Sequence, residues 1–503
     1  MNNLLQKPSI SVIGNSFLLN SVTQDDFDGP VFASIIDPDS NDFATIAELQ
    51  ALLAEGSVTS AALVTRALAR IAALDQQGPQ LRAVIETNPD ALTIAETLDA
   101  ERAIGELRGR LHGIPVLIKD NIDSGDSMQT SAGSLALVGE PAPVDAYLVQ
   151  RLRAAGAVIL GKANTSEWMG FRDWQSPMGW SGRGGQTQSA MSKELPVFGS
   201  SAGSAVAVSA GFVAVAVGTE TNGSLVGPAF FSQVVGLRPT LGLLSASGLV
   251  PLTSRQDTAG PMARTVADAA ALLDAMFGLD LPTPAPEGAP TEMIDYAGGL
   301  DATALDGARL GYPSLTPRGT PMLEDPVFAA LTPRLENAGA TLVPIDFAFP
   351  DLFQAQMAVL SFDFKRELAQ YLGNRQGIEV KTLADVVAFN EANPVPENYG
   401  QALLVAAEAL EFDEELYASL ANQLRSQSQA LIDDALAAHE LTALVDLPMG
   451  QLIGYGAQAG YPGLTVPAGL DDGGMLKGVH FTGSRWSDQA LLSLGHAFEK
   501  SEA

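Results

Sequence analysis

The chain has 503 residues, with 58 Asp+Glu against 28 Lys+Arg and a formal net charge of −30. A field of that sign repels phosphodiester backbones, whose binding rests on Lys and Arg contacts, so no nucleic-acid partner is expected. Cysteine is absent, and the four histidines (His112, His439, His480 and His496) show no H-x-x-x-H spacing, which argues against disulfides, a thiolate nucleophile and a zinc site.

Hydrophobic residues make up 46% and charged residues 17%, a globular balance. Length alone suggests two or three domains, but α/β enzymes often exceed the usual domain size as one unit. Residues 1–40 lack sustained periodicity and read as an N-terminal extension. They carry Lys7, yet Asn15, Ser16 and Asn20 interrupt the apolar stretch and no clear cleavage site follows, so a cytoplasmic protein is expected. No apolar run is long enough to span a bilayer, and no membrane association is expected.

Thr45 to Glu48 forms a capping box that opens a helix, with Leu49, Leu52 and Leu53 on one face and Gly56 as its stop. A second amphipathic helix carries Leu63, Ala67, Leu68 and Ile71 at helical spacing. The segment GIPVLIKD, 113–120, reads as a short buried strand ending on charge. Residues 145–155 form a helix leading into a strand at 157–160. A Gly- and Ser-rich loop spans 170–204, followed by the small-residue helix SAVAVSAG, which closes at Gly211, and a buried strand at 213–217. This alternation predicts an α/β fold. From about 280 to 440, Pro-rich loops alternate with helical stretches such as 401–440, without a chemical motif, and read as a variable helical cover within a single domain spanning 41–503. Strand signals return at 462–469 and 476–482.

Three features carry chemistry. Lys119, one of eight lysines, ends an apolar strand. It either reaches solvent or pairs with Asp120 or Asp123, or it is desolvated without a carboxylate and becomes a base near neutral pH. Asp120 is the next residue along the strand and should point to the opposite face. GSSAGS, 199–204, is either a helix N-cap with close packing or a G-x-S-x-G elbow with Ser201 as nucleophile, served by His480 or His496. His112-Gly113 even mimics part of a lipase oxyanion motif. GTETNGS, 218–224, follows the buried strand. It is either an ordinary turn or a concavity of backbone N–H groups suited to an oxyanion at the carboxyl end of a strand.

Taken together, GIPVLIKD, TSAGS at 130–134, GSSAGSA, GTETNGS and VVGLRPT at 234–240 resemble the amidase signature family in order and in spacing, with 24 positions between Ser200 and Ser224. The likeness covers roughly 43–275 and is supported by PGLTVPAG and GVHFTGSRWSD near the C-terminus. It implies the amidase signature fold, a large mixed central β-sheet covered by helices on both faces. It also implies a Ser–cis-Ser–Lys triad of Lys119, Ser200 and the nucleophile Ser224. The N–H groups of Thr221, Asn222, Gly223 and Ser224 would hold the oxyanion, and Ser201 and Thr219 would support the triad without touching substrate. No metal or organic cofactor is implied.

Around the nucleophile the family commonly has Gly-Gly-Ser with an arginine two residues on, whereas this chain has Asn222-Gly223-Ser224 and Val226. Glu220 stands where an aspartate is usual, and Ala202 where Gly or Ser is more frequent. Val226 argues against a small carboxylate-bearing substrate. The variant TETxGSxV, with GWSGRGGQT at 179–187 and QDTAGPMAR at 256–264, is most similar to bacterial peptide amidases. The expected substrate is a peptide or small-molecule amide, either the C-terminal amide of a peptide or another bulky or aryl amide, acted on by a monomer or homodimer. Two other activities compete: a Ser-His esterase using Ser201, and an amidotransferase subunit that works on charged tRNA, which the net charge and the missing arginine oppose.

Overall fold

The computed structural model describes residues 41–278 and 286–501, apart from positions 398, 412 and 472; the 1–40 extension lies outside the described residues. Thirteen strands occur among the described residues: β1 Val84–Thr87, β2 Pro115–Lys119, β3 Val158–Ala163, β4 Trp180–Ser181, β5 Gly185–Gln186, β6 Val215–Glu220, β7 Val235–Arg238, β8 Thr258–Ala263, β9 Arg309–Pro313, β10 Thr341–Ile345, β11 Ala443–Asp446, β12 Gly463–Leu470 and β13 Leu476–Thr482. Eleven of them form one sheet in the order β1-β3-β2-β6-β8-β7-β12-β13-β11-β9-β10. β2 runs parallel to both β3 and β6, whereas β6–β8, β7–β12 and β12–β13 are antiparallel, so the sheet is mixed.

The central strands read as unbroken apolar runs because both of their faces are covered. Val116, Ile118, Val215 and Val217 join one core with the helices Ile46–Glu55, Tyr147–Ala154, Val266–Met276 and Asp488–Lys500. The intervening Leu117 and Ala216 join the opposite core with Ser60–Arg70, Ala91–Ala103 and Ala202–Ser209. Each large apolar side chain so buried contributes roughly 1.5–3 kcal/mol. The capping box forms as expected: Thr45 N–H donates to Glu48 Oε2 at 2.8 Å and Glu48 N–H to Thr45 Oγ1 at 3.2 Å, while Gly56 stops the helix at φ +73°.

Several expectations need correction. The Ser60–Arg70 helix continues as a π-turn, Ile71–Gln76, so Ile71 lies beyond the α-helix proper. The 170–204 loop contains the β4–β5 hairpin. β6 runs on to Glu220 rather than ending at Val217, because Thr219 and Glu220 still pair with Ala259 and Thr258. The 401–440 stretch is two helices, Ala402–Glu408 and Glu414–Ala438. The 280–440 region is also more than a helical cover, since it supplies β9 and β10 at the far edge of the same sheet. Its helix Phe353–Gly373 packs Leu360, Phe364 and Leu368 against Trp168, Phe171 and Leu252, which ties the cover to the loops of the first half. No helix among the described residues is long and apolar enough to cross a membrane.

Candidate active site

Lys119 is the last residue of β2 and is 0% exposed. Four oxygens surround its Nζ: Ser200 Oγ at 2.7 Å, Ser201 Oγ and Thr219 Oγ1 each at 3.0 Å, and the Thr219 carbonyl at 3.2 Å. Among the described residues no carboxylate forms an ion pair with it. Asp120 is turned to the other face, where it accepts from Gly133 N–H and pairs with Arg183, while Asp123 pairs with Arg375 and accepts from Tyr371. Burial pushes the ammonium down to about 7, with the charges of Asp257 and Glu220 acting the other way. Near neutral pH a substantial share of Lys119 is therefore a free amine able to take a proton.

The two neighbouring serines are not equivalent. Ser201 donates its hydroxyl proton to the Thr219 carbonyl at 2.9 Å and accepts the Thr219 N–H at 3.2 Å, so its oxygen can only accept from Lys119. Ser200 has Lys119 as its only hydroxyl partner among the described residues, so its proton is available to the amine. Ser200 follows a cis peptide bond from Gly199. Close packing after the serines is visible at Gly203, in the first turn of the Ala202–Ser209 helix, where a Cβ would lie 2.3 Å from the Ala83 carbonyl oxygen and 2.4 Å from Asn164 N.

Ser224 lies on the turn after β6, which returns to the serine loop through a backbone bond from Ser201 N–H to the Ser224 carbonyl at 3.3 Å. Ser224 is partly exposed, unlike Ser200 and Ser201. Among the described residues no hydrogen bond joins the Ser200 and Ser224 hydroxyls, and the N–H groups of Asn222, Gly223 and Ser224 meet no internal acceptor. Gly223 turns the chain at φ +80°, a conformation that favours glycine.

A ring of residues given no role from sequence holds this turn. Asp257 accepts the Thr221 hydroxyl at 2.6 Å and the N–H groups of Leu252 and Thr253, and burial raises its carboxyl to about 6. Glu220 accepts the N–H of Leu225 at 2.7 Å and of Val226 at 3.2 Å. Asn121 donates to Thr219 Oγ1 at 3.0 Å, fixing a hydroxyl that borders Lys119. The motif positions of Glu220 and Asp257 were visible in the sequence, but nothing local indicated which N–H groups they would meet.

The Ser-His arrangement around Ser201 does not form. His480 is buried between Thr465 and Thr482, and burial drives its pKa down to about 3. His496 faces Glu499 on the C-terminal helix, and His112 lies against the Leu98 carbonyl and Arg108 N–H. None of them contacts Ser201.

The Amidase family model matches residues 62–447. The chain belongs to the amidase family. As a member it is a hydrolase acting on amides, with the mixed α/β sheet of that family. It is 44% identical to the peptide amidase from Stenotrophomonas maltophilia, covering 91% of this chain and 96% of that one at a TM-score of 0.85. It is 39% identical over 472 residues to the "Probable amidase" of Arabidopsis thaliana, covering 91% of this chain and 90% of the plant protein. It is 32% identical to a glutamyl-tRNA(Gln) amidotransferase subunit of a Synechococcus species, over 91% and 96% of the two chains.

Proposed function

We propose that the protein hydrolyses C-terminal amides of peptides, or other bulky or aryl amides, through an acyl-enzyme on Ser224. One observation carries the proposal: a fully buried lysine that among the described residues has no carboxylate partner lies 2.7 Å from a serine hydroxyl that has no other partner among them. In this scheme free-amine Lys119 takes the Ser200 proton and Ser200 takes that of Ser224. Ser224 Oγ then bonds to the amide carbon, and the N–H groups of Thr221, Asn222, Gly223 and Ser224 hold the oxyanion. The proton returns through Ser200 to the amide nitrogen as the C–N bond breaks and the amine leaves. Water next attacks the ester, passing its proton back along the same relay, and the carboxylic acid is released with Ser224 restored.

Substrate class is supported by the 44% identity to a peptide amidase and by Val226, which is buried where an arginine would attract acidic groups. The purified chain should release ammonia from peptide amides and cleave anilides, and a fluorophosphonate should label Ser224 on peptide mapping. Activity confined to small dicarboxylic monoamides would overturn the substrate class. An adduct on Ser201, or full turnover in Ser224→Ala, would overturn the nucleophile. Turnover that required partner subunits and charged tRNA would instead favour an amidotransferase role.

A further inference from the structure

Arg238 ends β7 at 2% exposure, and its guanidinium is spent largely on backbone oxygens. Nη1 donates to the carbonyls of Glu220 at 3.2 Å and Thr221 at 3.4 Å, and Nη2 donates to those of Gln256 at 2.7 Å and Ala457 at 3.4 Å. Its counter-ion is Glu220, whose Oε1 lies 3.4 Å from Nη1. The other oxygen of that carboxylate holds the N–H groups of Leu225 and Val226. The Gln256 side chain adds a second donor to the Thr221 carbonyl at 3.2 Å. One buried ion pair therefore grips the 220–226 turn at both ends, with Ser224 between them.

In a planar trans peptide the C=O and the following N–H point in opposite directions. Carbonyls of Glu220 and Thr221 drawn toward Arg238 therefore send the N–H groups of Thr221 and Asn222 the other way. We propose that Arg238, with Glu220 as counter-ion, is a positioning residue that aims these two N–H groups at the substrate oxyanion. The inference rests on the reading of Ser224 as nucleophile. A planar guanidinium can reach four carbonyls at once, whereas a lysine ammonium is a single point with three donors, so Arg238→Lys would loosen the grip while keeping the charge.

The test uses the full chain with Arg238→Lys, Glu220→Gln and Ser224→Ala. It reads kcat and KM on a peptide amide, together with inhibition by a peptide aldehyde and by the matching peptide alcohol. The aldehyde adds a serine hydroxyl and places an oxygen in the oxyanion position, whereas the alcohol binds without that bond. Arg238→Lys should lower kcat about a hundredfold, the scale of losing one oxyanion donor. KM should stay within about threefold, as expected when only a transition-state contact is lost. Aldehyde affinity should fall by the same factor as kcat, and alcohol affinity should hold. Glu220→Gln should show the same split more weakly, and it carries the test if Arg238→Lys is recovered unfolded. Equal weakening of aldehyde and alcohol, or a raised KM at constant kcat, would mean a structural role only and overturn the proposal. Full turnover in Ser224→Ala would sink the nucleophile reading separately; an inactive Ser224→Ala with no aldehyde–alcohol split in the other variants would sink only the positioning role.

Discussion

Two lysines on neighbouring strands, Lys119 on β2 and Lys162 on β3, are both 0% exposed, yet the protein surrounds them differently. In the parallel register Lys162 lies beside Ile118 and Lys119 beside Ala163, so the two side chains leave the sheet on opposite faces. Lys119 meets hydroxyls and one carbonyl. Lys162 donates to the Ile122 carbonyl and, at 2.9 Å, to Thr130 Oγ1, and it sits in the field of Asp120, Asp123, Asp126 and Glu86. Burial pushes both below the ordinary lysine value, but four carboxylates pull Lys162 back up. The difference teaches that burial alone does not fix a lysine's surroundings. The partners admitted into the dry pocket decide how strongly each ammonium is pulled back toward its ordinary value.

That contrast is broken most directly by exchanging each lysine for methionine. Lys119→Met should cut kcat/KM by about 10⁴-fold, the scale of losing a member of a hydrolytic triad. Lys162→Met should keep turnover within about tenfold once the active sites are counted by fluorophosphonate titration. In the wild type and in Lys162→Met alike, kcat/KM should fall as pH drops through about 7, because protonated Lys119 cannot accept from Ser200. A pH profile flat from 5.5 to 8.5 would remove Lys119 as the base.

Stability sharpens the comparison from the other side. Lys162→Met leaves the Ile122 carbonyl with only the Thr130 hydroxyl at 3.3 Å and leaves Asp120 and Asp123 with Arg183 and Arg375 as their remaining cations, so unfolding free energy should fall by about 3 kcal/mol in chemical denaturation. The smallest expected effect is a slope. Below about 7 Lys119 holds its proton whether the chain is folded or unfolded. Between about 7 and its ordinary value of 10.5 only the unfolded chain holds it. The wild type should therefore gain stability with rising pH in that window, relative to Lys119→Met, by ~1.4 kcal/mol per pH unit. Equal slopes in denaturation at pH 7.5 and 9.5 would contradict a depressed lysine.

Much of the site was legible because its parts are local. Lys119 ends an apolar strand, Ser200 and Ser201 sit among small residues, and the 218–224 turn carries the glycine and asparagine of an N–H concavity. β9 and β10 were not legible. Each carries a proline, Pro313 or Pro344, and β10 is a half-exposed edge strand, where proline is tolerated but the usual apolar signal is weak. Lys162 went unread because a lone buried lysine inside VILGKA differs from a solvated one only in what packs over it.

The amino-acid sequence by itself determined the apolar periodicities, the helix caps and the order of the chemical motifs, since each depends on neighbours a few residues apart. Only the tertiary structure decided which face each lysine leaves, which carboxylates reach it, and how Arg238 gathers carbonyls from Glu220, Thr221, Gln256 and Ala457. Desolvation and long-range hydrogen bonds are properties of what is brought together, and residues 17 to 219 positions apart in the chain leave no local trace of meeting.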